Sequence, residues 1–124
     1  MQIGLISLHN PGNLGSVARC LKRCGHESVV LKKYEDFYKY KLDAIILPGV
    51  GSFENAISLI KDVGFDQLII RLHSENFKII GICLGFQLLT KSSLENQFSC
   101  EIKGLDIFQD ISLVDICSKK KKMN

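Results

Sequence analysis

The 124-residue chain is as informative in what it lacks as in what it holds. No apolar segment approaches the ~20 residues that a membrane-spanning helix needs. The opening "MQIGLISLHN" has no basic leader, and its short apolar run breaks into His9, Asn10 and Pro11, so it does not read as a secretory signal. The cysteines Cys20, Cys24, Cys83, Cys100 and Cys117 form an odd set without the regular spacings of a disulfide framework. Together these absences point to reduced thiols and a cytoplasmic protein. A basic surplus is also missing from the body of the chain. The net charge is +3, but the four lysines at 119–122 outweigh it and leave the remainder slightly negative. A nucleic-acid footprint is therefore not expected, and the lysine run reads as a solvated end. Cys20 and Cys24 stand four apart, yet no neighbouring His or Cys completes a metal set, so no metal and no cofactor is expected. There is no internal repeat and no linker.

What is present fits one globular domain: 46% of residues are apolar and 23% charged. Short apolar runs of strand length, "QIGLISL", "SVVLK", "DAIILP" and "FKIIGI", alternate with helical patterns. Leu14, Val17, Ala18 and Leu21 follow the helical stripe, with Asn13 the expected N-cap and Gly25 the expected terminator. Phe53, Ala56, Ile57 and Ile60 form the next stripe, capped by Ser52 and stopped by Gly64. A further short helix, capped by Asp66, turns Leu68, Ile69 and Leu72 inward, and "LGFQLLTKSS" reads as a helix throughout. The aromatic-rich "KYEDFYKYK" is expected to be a loop or short helix lapping the sheet edge. Past Phe98 the rhythm weakens, and part of "CEIKGLDIFQDISLVDIC" alternates as an antiparallel hairpin would. Uniformly apolar strands separated by amphipathic helices imply an open, doubly wound α/β domain: a mostly parallel, flavodoxin-like sheet with helices on both faces.

One motif carries chemistry. Gly81-Ile82-Cys83-Leu84-Gly85 has the spacing of a nucleophile elbow, with cysteine in the nucleophile's place. In that motif a strand turns sharply into a helix, and the residues two before and two after the nucleophile crowd together, so both must be small. A cysteine at a helix N-terminus meets free N–H groups and the positive end of the macrodipole, which favour thiolate over thiol. The N–H of Leu84 is then aimed where an oxyanion forms. "LPGVGSF", after the third strand, offers a second donor loop on the same carboxyl edge. A dinucleotide fingerprint fails there, because Gly49 and Gly51 are followed by Glu54 where a third glycine is required. The plainer alternative for Cys83 is a small buried residue at a strand end. The paired glycines, the strand-to-helix context and the second glycine loop favour a nucleophile position.

These stretches resemble the class I (triad-type) glutamine amidotransferases. "GICLGFQLL" is similar to that family's elbow, with Phe86 where methionine is usual, "LPGVGSF" to its oxyanion loop, "GNLGSV" to the start of its first helix, and "KGLDIF" to the stretch after the elbow helix. The likeness is strongest to glutaminase subunits that serve a (β/α)8-barrel synthase in making imidazole glycerol phosphate for histidine biosynthesis. Related glutaminases of surface-sugar pathways share the elbow. The resemblance implies that Cys83 attacks the side-chain amide of glutamine, forming a glutamyl thioester and releasing ammonia. It also implies that Val50, Gly51 and Leu84 give backbone N–H groups to the oxyanion. Gln87 and Gly85 would belong to the glutamine site, Gly49 to the loop that switches activity on, and Asn13 to the interface with the synthase as a heterodimer.

The family's base comes from a His-x-Glu pair well downstream of the cysteine. Here His9, His26 and His73 all precede Cys83. The reading is therefore an amidotransferase domain over residues 1–108, incomplete at its C-terminal side, followed by an off-pattern basic tail over 109–124. Weak turnover, an open sheet edge and a tendency to aggregate are the expectations. His9 lies beyond the first strand on the carboxyl edge and is the one substitute base to weigh, though it reads first as a loop residue. The rival functional readings are a catalytically inactive partner-binding module and a different thiol chemistry, a hydrolase or redox sensor, on the same fold.

Overall fold

The computed structural model describes residues 1–8, 11–49, 52–90, 92–93 and 102–105. Strands β1 (Gln2–Ile6), β2 (Glu27–Leu31), β3 (Ala44–Gly49) and β4 (Lys78–Cys83) form one parallel sheet in the order β2-β1-β3-β4. β1 pairs with β2 on one side and β3 on the other, so the chain reverses its direction of travel across the sheet at β1. Right-handed crossovers then place helices on opposite faces, the doubly wound arrangement. Helix α1 (Pro11–Arg23) covers one face, and helices α2 (Phe53–Asp62), α3 (Phe65–Ser74) and α4 (Leu84–Leu88) belong to the core of the other.

The strict alternation of a pleated strand sorts the core. Ile3, Leu5, Ala44 and Ile46 face α1 and meet Leu14, Val17, Ala18 and Leu21. Ile6, Ile45 and Leu47 face the other way, onto Phe53, Ile60, Phe65, Leu68 and Ile69. Each such fully buried side chain is worth about 1.5–3 kcal/mol. The apolar stripes expected of the first three helices thus face the sheet, fully buried in α2 and α3 and, apart from Leu14, half-buried in α1.

Local signals are mostly honoured. α1 closes with the paired hydrogen bonds of a Schellman turn, His26 N–H to Leu21 O at 2.9 Å and Gly25 N–H to Lys22 O at 3.0 Å. Ser52 caps α2 by accepting the Asn55 N–H at 3.2 Å. Two expected caps are corrected. α1 starts at Pro11, whose fixed φ suits the first turn of a helix, so Asn13 lies inside that turn and is not its N-cap. The N-cap of α3 is Gly64, at φ 80°, and Asp66 sits within the first turn, where its charge complements the helix dipole.

A third correction concerns "LGFQLLTKSS". α4 ends at Leu88, and Ser92–Ser93 form a two-residue strand, β5, antiparallel to β6 (Ile102–Lys103). Of the hairpin expected within "CEIKGLDIFQDISLVDIC" only 102–105 are described; there β6 pairs back with β5 at the exit of α4, and 100–101 and 106–117 lie outside the described residues. The "KYEDFYKYK" segment contains a 3-10 helix, Tyr34–Lys39. Its Phe37 packs edge-on against Phe77 with ring centroids 5.6 Å apart, and Arg71 of α3 donates to Tyr38 Oη at 2.5 Å.

Candidate active site

Gly49 and Cys83 are the last residues of β3 and β4, and they are partners in the parallel register. Both therefore lie at the carboxyl edge of the sheet. Cys83 has φ 54° and ψ −119°, a backbone state that a side-chain-bearing residue rarely adopts. α4 begins at the very next residue. This is the strained strand-to-helix turn of a nucleophile elbow.

The glycines on either side are there because main chain meets main chain. A Cβ on Gly85 would run into the carbonyl oxygen of Leu47, in the middle of β3. A Cβ on Gly81 would lie 2.7 Å from Cα and 2.8 Å from N of Phe86. Gly49 backs onto the same turn, with its Cβ position 3.3 Å from Leu84 Cβ and 3.4 Å from Gly85 N. Close packing thus sets Gly49, Cys83, Leu84 and Gly85 against one another.

The Cys83 thiol is free and exposed, which overturns the plainer reading of a buried packing residue. Leu84 and Gly85 are buried beneath it, and Gln87 is half-buried further along α4. As the first residue of α4, Leu84 has an N–H that lies before the helix's own hydrogen-bond ladder. With five residues α4 is shorter than expected, so its contribution to the site is local N–H groups more than a summed dipole. Val50 and Gly51, the other expected oxyanion donors, lie outside the described residues, as does His9. Asn13 is in the first turn of α1, which follows the carboxyl end of β1, so its backbone is on the same edge as Cys83.

The other histidines are placed elsewhere. His26 Nδ1 contacts the amino terminus of Met1 at 3.1 Å, on the opposite edge of the sheet, and His73 is exposed on α3. Among the described residues no three His, Cys, Asp or Glu side chains gather as a metal site, and no helix is long and apolar enough to cross a membrane. A depression of about 360 Å³ lined by Tyr34, Lys61, Gly64 and Gln67 lies at the α2–α3 turn, and none of its walls belongs to the elbow.

The sequence did not reveal what holds the far end of α4. Thr90 is completely buried, and its Oγ1 donates to the Gln87 carbonyl at 2.6 Å. Leu105 N–H donates to the Leu88 carbonyl at 2.9 Å. The one signal was Gly104, whose Cβ would overlap the Thr90 carbonyl oxygen.

A parallel, doubly wound sheet that presents a cysteine in an elbow on its carboxyl edge defines the class: α/β proteins built around a nucleophile elbow. A family model for the CobB/CobQ-like glutamine amidotransferase domain matches residues 3–122. The chain belongs to this glutamine amidotransferase family. Similar curated proteins carry the name imidazole glycerol phosphate synthase subunit HisH. The one from Bacillus subtilis (strain 168) is 45% identical over 94 residues, covering 76% of this chain and 43% of its own. That of Bacillus velezensis is 44% identical over 94 residues, with the same coverage of 76% and 43%. That of Methanopyrus kandleri is 38% identical over 109 residues, covering 88% and 51%. The chain thus spans about half the length of the curated relatives it matches. Two solved structures share the fold. One is described as a peptidase E protein from Listeria monocytogenes EGD-e, with TM-score 0.65 at 15% identity over 86% of this chain and 62% of that one. The other is a glutamine amidotransferase, with TM-score 0.62 at 23% identity over 84% and 51%.

Proposed function

We propose that the chain is the nucleophile-bearing part of a glutamine amidotransferase subunit that releases ammonia from glutamine for imidazole glycerol phosphate formation in histidine biosynthesis. The observation that carries this reading is the exposed Cys83 in its strained elbow, in a chain whose curated relatives bear the subunit name. The Cys83 sulfur attacks the side-chain carbonyl carbon of glutamine, and the oxyanion that forms is met by the Leu84 N–H together with Val50 and Gly51 of the neighbouring loop. The C–N bond breaks, ammonia leaves with a proton, and water then cleaves the glutamyl thioester to give glutamate. Gln87 and Gly85 contribute to the glutamine site, and Gly49 to the switching of the loop that follows it. The ammonia passes to a (β/α)8-barrel synthase held as a heterodimer, with Asn13 at the contact.

General-base help is worth ~10²–10⁴-fold. No histidine occurs after Cys83 in these 124 residues, so on this reading they turn glutamine over weakly unless a base is supplied. The test is glutamate release in the presence of the barrel synthase. We expect Cys83→Ala to abolish it, and a chain extended by a relative's downstream His-x-Glu segment to raise it by ~10²-fold or more. An extended, folded chain that releases no ammonia sinks the enzymatic reading. The rival reading is a catalytically silent module that only binds the synthase. It predicts stable association that is indifferent to Cys83→Ala.

A further inference from the structure

The elbow helix is too short to hold its own direction. α4 has five residues, and helices of that length are not stable on their internal hydrogen bonds. Its front is fixed by the crowding of Gly85 against β3 and of Gly81 against Phe86. Its back end leaves carbonyls that the helix cannot satisfy. Two of them are taken up from outside the helix. The Gln87 carbonyl accepts both the Thr90 N–H at 3.1 Å and the Thr90 hydroxyl at 2.6 Å, and the Leu88 carbonyl accepts the Leu105 N–H at 2.9 Å. Thr90 is 0% exposed and is the one polar side chain buried in the described core. Gly104 passes so close that a Cβ would collide with the Thr90 carbonyl oxygen and lie 3.1 Å from that of Leu88. Leu105 then anchors in the same core as Leu84, Leu88 and Leu89, and β6, just before it, pairs with β5.

We propose that Thr90, with the Gly104–Leu105 strap, is a positioning device for the glutamine site: it fixes the residue that carries Gln87 by gripping that residue's own carbonyl. The proposal rests on the glutamine reading of the elbow given above. Thr90 does not touch the substrate. It sets the angle at which Gln87 leaves the helix, while Cys83, at the other end of α4, keeps its strained geometry from the glycine contacts. Loss of the hydroxyl is therefore expected to weaken recognition of glutamine without changing the accessibility of the thiol.

The experiment compares two alkylating reagents on the whole chain. One is a glutamine-shaped chloroketone, in which a chloromethyl ketone replaces the side-chain amide. The Cys83 sulfur displaces chloride to form a thioether, so no downstream base is needed. The other is iodoacetamide, which has no amino-acid moiety and reports the exposure and reactivity of the thiol. We expect saturable chloroketone labelling of Cys83 in the parent. In Thr90→Val the half-saturating concentration should rise about fivefold, the size of one ordinary hydrogen bond, with the iodoacetamide rate within about twofold of the parent. Thr90→Ser, which keeps the hydroxyl, should restore the parent value. Saturable labelling that ignores Thr90→Val overturns the positioning role alone. Equal slowing by both reagents, or no rescue by serine, overturns it too, by reducing Thr90 to a packing residue. Non-saturable labelling in the parent overturns the glutamine reading, and the proposal falls with it.

Discussion

Replacing Gly85 with alanine adds a single carbon, and the structure says what that carbon meets. It overlaps the carbonyl oxygen of Leu47 and lies 2.6 Å from the carbonyl carbon, where non-bonded carbons normally stop near about 3.5 Å. Neither partner is the end of a flexible side chain. Leu47 is fully buried and sits in the register of β3 with β4, opposite Gly81, and α4 is pinned between that strand and the elbow. Relief therefore requires α4 to move by about 1.5 Å, and overpacking of this kind costs about 1–3 kcal/mol, with main chain on both sides placing it at the upper end. In a urea titration followed by circular dichroism, that loss lowers the midpoint by about 1–2 M. Gly15→Ala is the matched control. Its new Cβ meets only the Arg19 guanidinium nitrogen at 3.3 Å, a group held by one exposed hydrogen bond to Ser16 Oγ and able to swing aside, and Gly15 is inside α1, where alanine gains about 0.5–1 kcal/mol over glycine. The pair should shift in opposite directions. The reasoning is refuted if Gly85→Ala keeps the parent midpoint, or if both variants move alike.

Ser52→Ala removes the acceptor for the Asn55 N–H and should cost about 1 kcal/mol, read from the same titration, whereas Ser52→Asp should be nearly neutral. Asp36 supplies a pH test. The Lys39 ammonium, and then the backbone N–H groups of Lys32 and Lys33, hold its carboxyl below the usual carboxylate range. A depressed folded-state value means that its contribution to stability is complete above the ordinary carboxylate pKa and is lost as pH falls through the depressed one. The stability gap between the parent and Asp36→Asn should thus be constant near neutrality and shrink below about pH 4. A gap that widens on acidification would contradict the observed contacts.

How far the residues alone could be read differs from one element to the next. The stripes Phe53–Ile60 and Leu68–Leu72 turned out buried, and that of Leu14–Leu21 packs on the sheet with Leu14 buried and the rest half-buried, because a helix with one apolar face has few ways to hide it. The caps were less secure. Ser52 behaved as expected, but α1 begins at Pro11 and the N-cap of α3 is Gly64, so Asn13 and Asp66 lie inside the first turns they were expected to cap. The aromatic run around Phe37 could be placed in a short helix, yet its partners Phe77 and Arg71 are far away in the chain and invisible to local pattern.

The site divides in the same way. The sequence by itself determined the elbow, because the demand for glycine at 81 and 85 is imposed within one strand-turn-helix unit and leaves its mark at fixed spacing. It also determined that no histidine after Cys83 is available among these residues. Only the tertiary structure decided that the Cys83 thiol is exposed, that Gly49 stands beside it in register, and that α4 stops after five residues under the grip of Thr90 and Leu105. Periodicity had carried that helix on to Ser93. Helical propensity is a sum of small local terms, and here a buried hydroxyl and a strap from fifteen residues downstream, Thr90 to Leu105, outweigh it.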